Sequence, residues 1–209
     1  MKQSIFETAD NRRIAENTYL MRLYGDTSEI TRPGQFVNIR LDGKYLRRPI
    51  SVCDRESGVL TLIYKAVGSG TLMMSEMTPG KPLDLLTGLG NGYDTGKSGE
   101  NPLLVGGGAG VLCRELISQG KHPTVIMGFG TEKEVFFEEE FRRLGADVIV
   151  TTADGSRGTK GFVTDAINDG YSYVYTCGPE PMLRAVYSAV NTGGQFSFEE
   201  RMGCGFGAC

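Results

Sequence analysis

The fold of this chain is decided most clearly by the stretch Leu103-Leu104-Val105-Gly106-Gly107-Gly108-Ala109-Gly110. A short apolar strand runs into a glycine cluster, and a helical pattern follows over residues 111–119. Such a junction presents main-chain N–H groups and the positive end of a helix dipole, which suit a pyrophosphate. The full dinucleotide fingerprint is not met, because position 111 is Val and no acidic residue ends the next strand. From this stretch alone, a tight turn without a ligand stays open.

The residues around this stretch continue the same rhythm. Strand-like runs at 103–105, 124–129, 148–152 and 173–176 alternate with helical patterns at 111–119, 134–144, 163–168 and 181–190. Strands that alternate with helices indicate right-handed crossovers and a doubly wound parallel sheet with helices on both faces. The second half is therefore predicted to be an α/β nucleotide-binding domain.

The first half has short alternating strands instead, for example over residues 36–41 and 59–66. Turn signals such as Arg32-Pro33-Gly34 and Thr78-Pro79-Gly80 separate them, which is typical of a small antiparallel barrel. One short helix is predicted near residues 71–77. The polar, glycine-rich stretch 90–101 separates the halves. The predicted domains are 1–98 and 99–196, and residues 197–209 form a further segment.

The composition excludes several kinds of function. The chain has 22 basic and 25 acidic residues among 209, with no block of five like charges, which argues against a nucleic-acid patch or a polybasic membrane anchor. Its single histidine, His122, leaves almost nothing for a histidine triad or a multi-histidine metal site. The N-terminus lacks the apolar core of a signal peptide, so we expect a cytoplasmic protein whose five cysteines are thiols or metal ligands.

Three further motifs are candidates for binding. Thr176-Cys177-Gly178-Pro179 ends the last predicted parallel strand, where ligands bind in open α/β sheets. In the first half, Arg47-Arg48-Pro49-Ile50-Ser51 offers an arginine for a phosphate and a small hydroxyl. Ile63-Tyr64-Lys65 then runs toward Gly68-Ser69-Gly70-Thr71, again a strand before a glycine turn. Each motif alone also fits a plain structural role: Cys177 as a small buried residue, and the Arg-Pro segment as a surface turn.

The order of these motifs resembles the ferredoxin-reductase-type flavoprotein family, with an N-terminal antiparallel FAD-binding β-barrel before the nucleotide-binding domain. Residues 154–161 (DGSRGTKG) and 198–209 (FEERMGCGFGAC) further resemble the electron-transfer subunits of dihydroorotate dehydrogenase B. The resemblance covers nearly the whole chain. Its last segment is the most specific.

The resemblance implies two cofactor sites. Residues that would contact FAD are Arg48, Pro49, Ile50, Ser51, Ile63, Tyr64, Lys65, Gly70 and Thr71. Residues that would form the nicotinamide nucleotide site are Gly106, Gly107, Gly108, Gly110, Cys177, Gly178 and Pro179. Ser51 and Cys177 are the candidate catalytic residues.

Cys204 and Cys209 have the C-x₄-C spacing that begins a plant-type [2Fe–2S] loop. Such a cluster needs four thiolates, and Cys53, Cys113 and Cys177 are scattered over other predicted elements. We therefore expect that the chain as given stops inside its cluster segment and cannot complete the cluster. Two unrelated cysteines are the alternative.

The resemblance also implies the reaction. Electrons from dihydroorotate would leave an FMN-containing catalytic subunit, cross a [2Fe–2S] centre to FAD and reach NAD⁺ in pyrimidine biosynthesis, within a heterotetramer. NAD is preferred over NADP because residues 130–134 (GTEKE) are mixed and acidic, although Arg157 could bind a 2′-phosphate. The alternatives are a reductase subunit of the ferredoxin:NADP or sulfide dehydrogenase type, a docking module that has lost flavin, and a mononucleotide-binding regulatory domain.

Overall fold

A computed structural model describes residues 1–106, 109–199 and 202. Two compact units divide after Gly92, within the predicted linker stretch but earlier than residue 98. The reason is local: main-chain groups of Asp94 bond to Gln195 and Tyr175, and Thr95 bonds to Glu115, so these residues pack with the second unit. No helix in the described part combines the length and hydropathy that a membrane crossing requires.

The first unit is a closed antiparallel barrel of six strands in the order β1-β2-β5-β4-β3-β6. Its strands are β1 Lys2–Ala15, β2 Thr18–Tyr24, β3 Phe36–Ile39, β4 Arg48–Glu56, β5 Val59–Lys65 and β6 Pro82–Leu89. Helix α1, Ser69–Ser75, lies between β5 and β6. Side chains alternate as a half-buried sheet requires: Leu60, Leu62 and Tyr64 point into the barrel.

The second unit is a six-stranded parallel sheet in the order β10-β9-β8-β7-β11-β12. The strands are β7 Pro102–Val105, β8 Thr124–Phe129, β9 Asp147–Thr152, β10 Thr159–Lys160, β11 Tyr173–Gly178 and β12 Gly194–Phe198. The helices are α2 Gly110–Ser118, α3 Glu138–Leu144 and α4 Glu180–Ala189. Strand β7 is buried on both faces, with Leu104 in one core and Leu103 and Val105 in the other. The predicted fold class is confirmed.

Local predictions fail in four places in the second unit. The predicted helix over 163–168 is a 3₁₀ turn, Val163–Ala166, so the β9-to-β11 connection carries no α-helix. The predicted helix from 134 begins only at Glu138, because Phe137 takes a left-handed conformation with φ 62° after a 3₁₀ turn at Glu132–Glu134. The strands β10 and β12 have no counterpart in the sequence prediction.

Candidate functional sites

The barrel opens between strands β4 and β5. Their pairing runs from Glu56–Val59 to Val52–Leu62. Beyond Val52, residues 48–51 of β4 pair with β3, and residues 63–65 of β5 pair with β2. Pairing between β4 and β5 thus ends at Val52–Leu62, and we call the place beyond it the barrel opening. The predicted flavin-binding residues on its two sides are Arg48, Pro49, Ile50, Ser51, Ile63, Tyr64 and Lys65.

Arg48 packs directly against the main chain of α1. A Cβ atom added to the buried Gly70 would lie 2.9 Å from both Cζ and Nη2 of the Arg48 guanidinium. Nη1 donates to the main-chain oxygen of Leu46 at 2.5 Å, and Arg48 pairs with no carboxylate among the described residues. A guanidinium whose charge is not neutralised is well suited to a phosphate. Glycine at position 70 is what lets Arg48 approach so closely.

Arg47, the preceding residue, has a different role. Its guanidinium forms a bidentate pair with Asp84, at 3.1 Å from Oδ1 and 3.2 Å from Oδ2, and also donates to the main-chain oxygen of Asn38. Burial opposes the charge of Asp84, but hydrogen bonds from Arg47 and Gln3 outweigh it and lower the pKa of this carboxyl. Arg47 therefore links β6 to the loop before β4 and stabilises the barrel.

Tyr64 also serves the barrel. Its side chain is buried, its hydroxyl donates to Asn11 Oδ1 at 2.9 Å, and its ring stacks on Tyr19 at 5.7 Å. Asn11 in turn donates to the main-chain oxygens of Met74 and Met77, so this network anchors the end of α1. Burial raises the pKa of Tyr64, which keeps the phenol neutral. The half-buried Ile63 and the exposed Lys65 have side chains on the other face of β5.

The loop before α1 is ordered by Thr71. The Thr71 hydroxyl accepts the main-chain N–H groups of Val67 and Gly68, each at 3.1 Å, and donates to the oxygen of Gly68. Because this hydroxyl already has three partners, the side chain shapes the turn that presents Gly70. Ser51, by contrast, is exposed at the opening.

In the second unit, the ends of β7 and β11 meet through glycine. Gly106 has φ +129°, and a Cβ there would lie 2.9 Å from the main-chain oxygen of Cys177. Gly110 is buried at the first residue of α2, and Gly178 and Pro179 connect β11 to α4. Of the predicted nucleotide residues, Gly106, Gly110, Cys177, Gly178 and Pro179 thus gather at the carboxyl edge of the sheet. Gly107 and Gly108 lie outside the described residues.

Cys177 has polar neighbours that the sequence did not reveal. It pairs with Ser197 on β12, and Tyr93 Oη donates to the neighbouring main-chain oxygen of Thr176 at 2.8 Å. Burial first, and then the charge of Glu199, raise the pKa of the Cys177 thiol, while a hydrogen bond with Ser197 lowers it. The thiol is therefore protonated at neutral pH, which fits packing against a ring better than nucleophilic attack. Tyr93 was missed because it lies in the predicted linker.

A charged cluster follows strands β8 and β9. Glu138 Oε2 lies 2.7 Å from Arg157 Nη2, and Glu138 Oε1 accepts from Arg142 at 3.0 Å. Arg157, the arginine that could bind a 2′-phosphate, is thus paired with a carboxylate. Nothing in the sequence marked Glu138 as its partner.

The predicted metal ligands, Cys204 and Cys209, are not among the residues that the structure describes. Within the described ranges there is no group of three or more His, Cys, Asp or Glu side chains able to hold a metal ion.

The chain is similar to named proteins along nearly its whole length. No protein-family model matches. A Geobacillus sp. (strain WCH70) protein named dihydroorotate dehydrogenase B (NAD(+)), electron transfer subunit, is 42% identical over all of this chain and 88% of the relative. The Fusobacterium nucleatum protein of the same name is 44% identical over 96% of this chain and 85% of its own length.

Solved structures of flavin-dependent reductases share the fold of this chain. One described as an NADH-dependent reduced ferredoxin-NADP oxidoreductase has a TM-score of 0.86 at 29% identity, over 98% of this chain and 79% of its own. A ferredoxin NADP⁺ reductase from Neisseria gonorrhoeae, with bound FAD and NADP, has a TM-score of 0.78 at 13% identity, over 95% of this chain and 100% of its own, and shows the fold alone. The resemblance given by the motifs is confirmed: the chain belongs to the family of dihydroorotate dehydrogenase B (NAD(+)) electron transfer subunits.

Proposed function

We propose that this protein is the electron-transfer flavoprotein subunit of an NAD-linked dihydroorotate dehydrogenase. The observation that carries this function is the identity of 42–44% along 96–100% of the chain to relatives of that name. Electrons would come from dihydroorotate through an FMN-containing catalytic subunit, a [2Fe–2S] centre and FAD to NAD⁺, in pyrimidine biosynthesis. We place it in the cytoplasm, in a heterotetramer with that subunit.

The barrel opening fits FAD. Arg48 supplies a cation against the main chain of Gly70, and the separated strands β4 and β5 leave main-chain groups of residues 48–51 and 63–65 beside the opening. Arg48 would bind the pyrophosphate, Gly70 and Thr71 would approach it through the main chain, and Ser51 would hydrogen-bond the ring system. Bound there, FAD would supply the ability to take up two electrons together and release them singly.

The carboxyl edge of the sheet fits a nicotinamide dinucleotide. Gly110 begins α2, whose start is suited to a phosphate, and Gly106 lies beside Cys177 at the same edge; we assign Gly107 and Gly108 to the same binding site. Cys177, Gly178 and Pro179 would line the nicotinamide, with the neutral Cys177 thiol as a short contact. The buried Thr176 hydroxyl has no hydrogen-bond partner in the described part of the chain, so this strand end retains polar capacity.

Cys204 and Cys209 are the proposed first two cluster ligands. Cys53 and Cys113 are buried in the cores of the two units, and burial raises the pKa of Cys113 to about 12. Neither can therefore complete a [2Fe–2S] site.

A second candidate function is that of an NADPH-linked or ferredoxin-linked reductase subunit. The structural match at 29% identity and TM-score 0.86 to the ferredoxin-NADP oxidoreductase favours it. The two functions differ in the nicotinamide coenzyme and in the partner protein.

An anaerobic NADH titration of the purified, FAD-reconstituted chain, followed by its visible spectrum, tests the proposal. We expect NADH to bleach the bound flavin. Bleaching by NADPH and not by NADH would favour the reductase, and a chain that binds no flavin would favour the docking module.

The variant Arg48→Gln tests the flavin site itself. Removal of a charge-assisted contact to a phosphate should weaken FAD binding about 10–100-fold. The matched control is Arg22→Gln, an exposed barrel arginine that lies 4.0 Å from Glu56, and it should leave FAD binding unchanged. Equal FAD affinity of the two variants, measured by flavin fluorescence titration, would refute the assignment of Arg48.

A further inference from the structure

The loops after β8 and β9 form one surface. The main-chain N–H groups of Ala153 and Asp154 donate to the oxygens of Phe129 at 3.0 Å and Gly130 at 3.3 Å, and the N–H of Glu132 donates to Ser156 Oγ at 2.8 Å. Both loops lie at the carboxyl edge of the sheet, where open α/β sheets bind nucleotides. A charged side chain in either loop can therefore influence the same ligand.

Arg157 is held in this surface at both its main chain and its side chain. The Thr152 hydroxyl donates to the oxygen of Arg157 at 2.8 Å and accepts its N–H at 3.0 Å. The guanidinium pairs with Glu138 at 2.7 Å, although about half of the Arg157 side chain is exposed. Arg157 is thus accessible to solvent, but its charge is directed at a carboxylate.

Glu138 is built into its position. Its side chain is only 14% exposed, and the left-handed Phe137 before it, whose ring packs edge-on against Phe141, fixes where α3 begins. Burial favours the neutral acid, but the hydrogen bond from Arg142 and the positive charge of Arg157 outweigh burial and lower the pKa of Glu138. Glu138 is therefore ionised at neutral pH.

We propose that Glu138 is a specificity-determining residue of the dinucleotide site, which holds Arg157 in an ion pair and denies its guanidinium to a 2′-phosphate. The inference rests on the proposed function, since it requires a nicotinamide dinucleotide at this edge. A 2′-phosphate would have to break the ion pair and would then lie beside a largely buried carboxylate, and both effects oppose its binding. A free 2′-hydroxyl meets neither obstacle.

The other charges on this surface do not replace Arg157. The acidic side chains are Glu132, Glu134, Asp154 and Glu138, and the basic ones are Lys133, Arg142, Arg157 and Lys160. The aliphatic part of Lys160 lies over Gly155, and Asp154 accepts the N–H and hydroxyl of Ser156. Acidic and basic groups are equal in number, so neutralising Glu138 leaves one net positive charge beside Arg157.

The test is a binding comparison that needs no flavin chemistry. Isothermal titration of the full chain uses NAD⁺ and NADP⁺, and then 5′-AMP and adenosine 2′,5′-bisphosphate, which isolate the 2′-phosphate. Glu138→Gln keeps the shape and removes the charge, and should strengthen binding of both 2′-phosphorylated ligands about tenfold while NAD⁺ changes less than about twofold. Glu139→Gln, the same change at the exposed neighbour, should leave all four affinities unaltered.

A second variant keeps the proposal testable if Glu138→Gln does not fold. Arg157→Gln in the wild-type background should barely change NADP⁺ affinity, because the guanidinium is already withheld. In the Glu138→Gln background the same change should abolish the gain. A tenfold loss of NADP⁺ affinity from Arg157→Gln alone would show that the arginine already binds the phosphate, and would overturn the inference.

The outcomes also separate this inference from the proposed function. NAD⁺ binding that persists while Glu138→Gln leaves the NADP⁺/NAD⁺ ratio unchanged refutes the role of Glu138 alone. Failure of the wild-type chain to bind either dinucleotide refutes the proposed function and the inference with it.

Discussion

Gly70 in the barrel and Gly106 in the parallel sheet are both glycines against which another group packs, but the groups differ. At Gly70 the neighbour is the end of the Arg48 side chain, and at Gly106 it is the main-chain oxygen of Cys177. A side chain can turn away, whereas the main chain of a central strand cannot. A substitution of the glycine at the barrel opening should therefore weaken ligand binding, while a substitution of the glycine at the sheet edge should lower the stability of the fold.

The largest effect is expected from Gly106→Ala. The φ of +129° is strained for alanine, and its Cβ would collide with the oxygen of Cys177. Together these should destabilise the second unit by about 2–5 kcal/mol. Gly178→Ala is the control at the same edge, since its Cβ would meet only the flexible end of Met182, and it should cost less than about 1 kcal/mol. Denaturant unfolding measures both, and equal losses would break the comparison.

A smaller effect, on ligand and not on stability, is expected from Gly70→Ala. Alanine suits the helix α1 better than glycine by up to about 1 kcal/mol, so the barrel should be as stable or slightly more so. Its Cβ displaces Arg48, and FAD affinity should fall about tenfold. Gly68→Ala adds a Cβ with no atom within 4 Å and should bind FAD normally. Denaturant unfolding and flavin titration of both variants measure these effects. A loss of stability in Gly70→Ala would contradict the prediction that this glycine serves ligand binding.

The smallest effect is expected at the ion pair between Arg47 and Asp84. Arg47 precedes Arg48, which we assign to FAD binding. Asp84→Asn should destabilise the barrel by about 1 kcal/mol at neutral pH and leave FAD affinity unchanged. The folded pKa of Asp84 lies below its unfolded value, so the ion pair stabilises above the unfolded pKa and is lost as the pH falls through the folded pKa. Urea unfolding should therefore show the difference shrinking in acid. A difference that persists at low pH would mean that Asp84 acts by packing and not by charge.

The sequence patterns predicted those strands and helices whose apolar residues recur with a regular period. Strand β8, Thr124–Phe129, lies where its apolar run predicted, and both glycine motifs lie at strand ends. The division between the two units depends on distant contacts. Asp94 belongs to the second unit because Gln195 and Tyr175 bond to its main chain, and no local pattern carries that information.

The site residues stay predictions, but the structure shows what the motifs left out. The family motifs pointed to Arg48 and Cys177, and they did not reveal that Tyr64 faces inward to Asn11 or that Ser197 borders the thiol. The Glu138–Arg157 pair joins two loops whose proximity follows from strand order, and Glu138 begins a helix that the apolar pattern placed earlier. Ion pairs between loops leave no periodic signal, so only the three-dimensional arrangement shows them.

Closure of the barrel also imposes an order in time. Strand β1 pairs with β2 through a short turn, but its other edge waits for β6, whose residues 82–87 pair with residues 2–7. On the ribosome, β1 emerges well before β6, so one of its edges stays open until β6 has been synthesised. The second unit begins only afterwards, at Tyr93. The barrel can therefore complete its hydrogen bonding before the nucleotide-binding sheet exists, and a stalled or shortened chain that stops before β6 would expose an aggregation-prone strand edge.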